Sequence, residues 1–496
     1  MSEPARIPLE RFFEQPPPGG RRLAEVRWRP GWECFSYVEQ SAEQNGGGDL
    51  WVFDLSTGAK ALLVCGKDVQ YEGGPISLQG YRWFPDGERL LLSGRAGAFE
   101  YHPGERSIRR LTASLDERVC PVFSPEGTHL AFVRGNNLHV LDLASGGERA
   151  LTTDGSETLL NGVLDWVYWE ELGHRSRWRA FEWSPGGTRI AFLRLDQGRV
   201  PEYPLVDWMA VHPSVTWQRY PKAGDPNSIA GLRVVDVADG RLIAEHQEEA
   251  DAFYLAPGLA WTPDGRGVAH ARLSRDQRSL ELRLLSADGA QTLLREEDPH
   301  WLNHIGPPVF LPDGDFLWLS ERSGRAHLYR HAPTGELRHP ITHGDWQVEK
   351  VHTRNGSHVY LTGTGEDPRE RHLYRAALDG SGYERLTDAG GVHDALVRKD
   401  GTWTVIGRQT PERPRQARAV HFLSGASQPV GPVDAEWEQY AWPEALFPEL
   451  AAEDGTPLFG RLLLPPDFDP KRLYPVVVHV YGGPHAQTVQ KVWTGA

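Results

Sequence analysis

Apolar and polar residues alternate with a period of two along most of this chain, in short runs that end at glycine-rich turns. Residues 128–152, THLAFVRGNNLHVLDLASGGERALT, predict two strands, the second ending in Asp142-Leu-Ala-Ser-Gly-Gly. Residues 315–342, DFLWLSERSGRAHLYRHAPTGELRHPIT, follow the same plan of strand, turn, strand, glycine turn and strand. One turn introduces each unit: an aromatic or apolar residue, then Pro, Asn or Asp, then Gly. It occurs at Trp28, Trp83, Phe123, Trp183, Trp261 and Phe310, and in degenerate form at Thr353 and Arg398. Proline presets the first turn dihedral and glycine accepts a positive φ, so the pair makes a tight reversal between strands. Four antiparallel strands per unit of about 40–60 residues are the pattern of propeller blades. Eight such units predict an all-β, eight-bladed β-propeller over residues 26–435, preceded by an N-terminal arm (1–25). An ordinary sandwich would not repeat one turn eight times.

The spacing of these turns is uneven. Pro125 to Pro185 spans 60 residues and Pro185 to Pro263 spans 78, which assigns insertions to the third and fourth units. Long loops on a rigid scaffold are where function concentrates. After residue 436 the pattern changes. Asp454-Gly455 signals a hairpin, a Pro-rich turn follows (Pro465, Pro466, Pro470), and then comes Pro475-Val-Val-Val-His-Val480. A continuous β-branched run predicts a strand buried on both faces, as in an α/β sheet. Sixteen residues follow it, so residues 436–496 read as the incomplete beginning of a further domain.

Composition narrows the classes. The chain has 496 residues, too many for one hydrophobic core, and its 18 tryptophans suit layers packed between sheets. A net charge of −14 argues against a nucleic-acid partner, which needs a concentrated basic face. Cys34, Cys65 and Cys120 show no paired spacing, so neither a disulfide framework nor a zinc cluster is expected. The opening MSEPARIPLERFF has no apolar run behind its basic residues, and no stretch of eighteen apolar residues occurs. A soluble cytoplasmic protein without a membrane segment is the expectation.

Several catalytic signatures are missing: Gly-x-Ser-x-Gly, the Walker A loop, His-Glu-x-x-His and the calcium loop. His327 and His331 stand four apart, about 13 Å along a strand, too far for one metal, and are expected to be half-exposed. Two features point to chemistry. Asp165-Trp-Val-Tyr-Trp-Glu170-Glu171 sets two carboxylates in an aromatic-rich insertion, a receptor for a protonated amine. Adjacent glutamates are otherwise a solvated face. Tyr481-Gly482-Gly483-Pro484 directly follows the valine run, where an α/β-hydrolase loop supplies part of its oxyanion hole; as a plain turn it would only end a strand.

Together these segments resemble the dipeptidyl peptidase IV family of serine exopeptidases, related to the prolyl oligopeptidases. Residues 165–171 are similar to that family's Asp-Trp-Val-Tyr-Glu-Glu-Glu motif, with Trp169 in place of the first glutamate. Tyr220-Pro-Lys-Ala-Gly224, before Asp225-Pro226-Asn227, resembles a second stretch of that family's propeller, and YPVVVHVYGGP at 474–484 resembles its entry into the hydrolase domain, which implies that residues 436–496 are the first strands of an incomplete α/β-hydrolase domain. The resemblance implies that Glu170 and Glu171 clamp the free N-terminal ammonium of a peptide. It implies that Tyr481 donates to the oxyanion, with Arg95 as the arginine that bonds a substrate carbonyl. It further implies release of X-Pro or X-Ala dipeptides without a cofactor, with the propeller gating access, and a homodimer formed through the fourth-unit insertion. The serine, aspartate and histidine of such an enzyme have no counterpart in this sequence, so the chain is expected to be inactive alone. A non-catalytic propeller that binds peptides or partner proteins is the alternative. An endo-acting or acylaminoacyl relative fits poorly, because a blocked terminus meets two carboxylates unfavourably.

Overall fold

The computed structural model describes residues 5–13, 23–39, 48–94, 97–112, 120–173, 178–303, 306–431, 435–483, 486–493 and 495. Eight antiparallel sheets follow one another along the chain, at residues 24–64, 82–110, 122–150, 159–247, 253–297, 309–340, 348–385 and 392–430. This is the blade pattern of an eight-bladed β-propeller, and the chain is all-β. It divides into two compact units. One comprises residues 1–79, 325–327 and 341–496, with the first, seventh and eighth sheets; the other comprises residues 80–324 and 328–340.

The repeated turn joins the first and second strands of each sheet. Its glycines, Gly31, Gly87, Gly127, Gly187, Gly265, Gly314, Gly356 and Gly401, all have positive φ. In the second sheet the Gly87 amide closes the turn on the Phe84 carbonyl at 2.9 Å. The aromatic residue before the proline has a second task. Trp183 Nε1 donates to the Val122 carbonyl of the preceding sheet at 3.2 Å, and Trp261 Nε1 to the Glu182 carbonyl at 3.1 Å. Each of these indoles fills the layer between two sheets and satisfies its own N–H there.

Middle strands are covered on both faces by neighbouring sheets. His129–Arg134 is buried at its four central positions, whereas the outer strand Glu148–Ala150 is exposed throughout. A single core runs from Ala131 to Trp318 across the third to sixth sheets, with Phe181, Phe192 and Phe316 fully buried. In the other unit, Phe35, Tyr37 and Phe53 of the first sheet pack on Val405, Ala417 and Ala419 of the eighth.

Three expectations need correction. His327 and His331 are buried, each 2% exposed, because Trp346 meets His327 edge-on and Phe316 stacks on His331. Both insertions belong to the fourth sheet: counting from turn to turn misassigns the segment that precedes a turn, which already pairs with the sheet that follows. The run at 475–480 joins no ladder, and Val476, Val477 and Val478 are 76%, 94% and 78% exposed. A strand needs a hydrogen-bonding neighbour, and the described residues provide none there. The Asp454-Gly455 signal does form a hairpin, Glu449–Ala451 pairing with Pro457–Phe459. Among the described residues no helix is long and apolar enough to cross a membrane.

Candidate functional site

The first strand of the fourth sheet is split in two. Leu159–Asn161 and Phe181–Trp183 both pair with Arg189–Asp196, and the chain between them leaves the sheet. The base of this excursion is pinched shut. The Gly162 amide donates to the Leu193 carbonyl and the Ala180 amide to the Gly162 carbonyl, both at 2.9 Å. Gly162 has φ +75, and a Cβ there would meet Phe181 and Val133 at 3.4 Å, so glycine suits the exit point.

Within this excursion lies one π-helical turn, Tyr168–Leu172, closed by the Gly173 amide on the Tyr168 carbonyl at 2.8 Å. Such turns favour functional positions. It carries both glutamates, Glu170 half-buried and Glu171 exposed. Tyr168 and Leu172 anchor the turn from below; Tyr168 is fully buried, and burial pushes its phenol well above the ordinary range, so it stays protonated. Its hydroxyl accepts the Leu255 amide at 3.4 Å. Trp169 stacks on Trp178 with centroids 4.3 Å apart, and Trp166 meets Trp169 at 5.3 Å. Glu170 and Glu171 thus follow directly in sequence on an indole that is packed against two others.

Asp165 begins the turn and is buried. One carboxylate oxygen accepts the Tyr168 amide at 2.8 Å and the other accepts the Ser228 hydroxyl at 2.5 Å. Ser228 follows Tyr220–Gly224 and Asp225-Pro226-Asn227, so the two sequence motifs meet. Asn227 donates through Nδ2 to the Tyr254 hydroxyl at 2.7 Å and through its amide to Asp251 at 3.0 Å. Arg199 and Arg275 each hold Asp251 at 2.9 Å. Against the opposing effect of burial, the Asn227 amide and then the Arg199 and Arg275 cations keep the Asp251 carboxyl below the ordinary carboxylate range. Sequence reasoning passed over Asp165 and Ser228 as working residues. The signal available was the pairing of the two motifs in one sequence.

The remaining expected residues lie elsewhere. Arg95 falls outside the described residues. Tyr481 belongs to the other compact unit and is 53% exposed, on a segment without secondary structure. Among the described residues no group of three or more His, Cys, Asp or Glu side chains could hold a metal ion.

Residues 77–415 match the family described as the N-terminal region of dipeptidyl peptidase IV. A dipeptidyl-aminopeptidase B of Aspergillus niger is 29% identical over 75% of this chain and 45% of its own length. A protein named Probable dipeptidyl-aminopeptidase B, from Emericella nidulans, is 30% identical over 76% of this chain and 46% of its own length. The chain thus spans about half the length of these curated relatives. The crystal structure of Porphyromonas gingivalis dipeptidyl peptidase 4 superposes over 98% of this chain and 71% of that one, with a TM-score of 0.83 at 24% identity. That likeness fixes the fold. With the family match over 77–415, the chain belongs to the dipeptidyl peptidase IV family and carries its N-terminal region.

Proposed function

We propose that this chain is the substrate-reading portion of a serine dipeptidyl peptidase that releases X-Pro or X-Ala dipeptides from peptide N-termini. The observation that carries the reading is the pair Glu170 and Glu171 on one short turn that a buried aspartate holds. An ammonium offers three donors in diverging directions, so two carboxylates at different depths can share it. Each charge-assisted bond contributes about 1.5–3 kcal/mol. A ruler of this kind positions the bond two residues from the terminus. In this reading the propeller admits only peptide ends, residues 436–496 begin an α/β-hydrolase domain, and the Tyr481 hydroxyl donates to the oxyanion of a tetrahedral intermediate. The copies pair through the exposed ribbon at residues 202–219.

Calorimetric titration of Ala-Pro-Ala and its N-acetyl form into the chain tests the reading. The free amine is expected to bind, and the acetylated peptide to bind about tenfold or more weakly, at about 1.4 kcal/mol per decade. Glu170→Gln and Glu171→Gln should each weaken the free peptide by a similar factor and erase the discrimination. Binding should decline above pH of about 8, as the α-amino group loses its proton. If both variants bind both peptides as the wild type does, the glutamates are a solvated face and the reading fails.

A further inference from the structure

We infer that Asp165 and Ser228 are positioning residues for the amine site: their bond fixes the turn bearing Glu170 and Glu171 to the strand entry after Tyr220–Gly224. The inference rests on the reading of those glutamates given above. Asp165 reaches the turn in two ways. Its Oδ1 accepts the Tyr168 amide at 2.8 Å, and its main-chain carbonyl accepts the Trp169 amide at 3.0 Å. These are local contacts that orient the turn relative to Asp165 alone.

The second carboxylate oxygen does something different. It takes the hydroxyl of Ser228, 63 residues further along the chain, at 2.5 Å. Ser228 is itself immobilised. Its neighbour Asn227 is tied to Tyr254 and Asp251, and Asp251 is gripped by Arg199 and Arg275. Arg275 also donates to the Asp225 carbonyl at 2.5 Å. Tyr254 returns to the turn, its ring edge-on to Tyr168 with centroids 6.0 Å apart. The direction of the glutamate turn is therefore referred to an ion-paired frame on another loop. Asp165 and Ser228 are 5% exposed, so water does not compete for their bond. Neither residue needs to touch substrate. A small displacement of two carboxylates that must grip one ammonium is enough to weaken it, which is how such a bond acts on binding.

The test compares Ser228→Ala, Ser228→Thr and Asp165→Asn in the 496-residue chain, by titration with Ala-Pro-Ala and by circular dichroism. The stacked pair Trp169–Trp178 should give an exciton couplet, assigned by its loss in Trp169→Phe, that reports the order of the turn. Ser228→Ala and Asp165→Asn should weaken Ala-Pro-Ala about tenfold and diminish the couplet, with the thermal midpoint within a few degrees of wild type. Ser228→Thr, which keeps the hydroxyl, should restore both signals. A Ser228→Ala variant with wild-type affinity and an undiminished couplet overturns the inference. So does a loss that Ser228→Thr does not repair. Should the wild type fail to distinguish free from acetylated peptide, the amine reading falls, while the couplet still decides whether the bond positions the turn.

Discussion

At the scale of single residues, the buried histidines contribute to the acid sensitivity of this protein. His270 is fully buried between the fourth and fifth sheets, and neither ring nitrogen has a partner among the described residues. Burial, reinforced by nearby His246 and Arg283, lowers its pKa to about 3. His393 donates through Nδ1 to the Arg371 carbonyl at 2.9 Å, and burial brings it to about 4. Both values lie below the unfolded value of about 6.5, so below that pH the unfolded chain binds protons that the folded chain refuses. The resulting stability is complete above pH of about 6.5 and is lost as pH falls toward the folded values. Thermal midpoints should therefore drop between pH 7 and pH 4, with numbers read by scanning calorimetry at each pH. His270→Leu should behave unusually for a core change. It removes two unsatisfied buried nitrogens, each a penalty of about 1–3 kcal/mol, and so should raise the midpoint at pH 7 and flatten the acid decline. A lower midpoint at pH 7 would show that the imidazole has a partner and that its burial is not a net penalty.

At the scale of elements, the repeated turn separates two reasons for glycine that sequence alone merges. Gly31 and Gly127 stand at the third and the fourth position of their turns, with nearly the same φ, +73 and +72. A Cβ on Gly31 meets nothing within 4 Å, whereas on Gly127 it would lie 2.5 Å from the Pro85 ring of the preceding turn. Gly31→Ala should thus show only the left-handed backbone penalty, about 1–2 kcal/mol, and Gly127→Ala that penalty plus a clash between turns. Equal losses of thermal midpoint in the two variants would mean the turns slide apart freely. The same contrast explains what could be read from the chain. Turns are legible because proline and glycine act on their own backbone, so the blade pattern followed from Trp83-Phe-Pro-Asp-Gly87 and its repeats. The glutamate turn was legible as composition, an aromatic loop with two acids. Its scaffold was not, because the split strand and the Asp165–Ser228 bond join residues far apart in sequence. The valine run at 475–480 failed for a related reason: a strand pattern states what a segment would do beside a partner and does not supply that partner.

At the scale of the whole molecule, the exposed ribbon inserted between two strands of the fourth sheet bears on association between copies. Among the described residues Glu202–Asp207 and Ser214–Arg219 pair only with each other, and an isolated two-stranded ribbon is marginal in water. Its tip and one face present Trp208, Met209, Val211 and Trp217, exposed at 75%, 95%, 93% and 62%. Grouped apolar side chains of this size mark an interaction surface. A second copy is the partner proposed here, and the charge of the molecule makes the proposal discriminating. Two chains of net charge −14 repel at long range, so their contact must draw on apolar burial. Salt screens that repulsion within roughly 10 Å at 0.1 M and leaves apolar burial intact. Sedimentation velocity should accordingly show a dimer that persists or strengthens as salt rises, where an interface built on ion pairs would weaken. Trp208→Ser combined with Met209→Ser should shift the population to monomer with the circular dichroism spectrum unchanged, because neither side chain packs in a core. A double variant that sediments as the wild type does would remove the ribbon from the interface and leave those indoles to another partner.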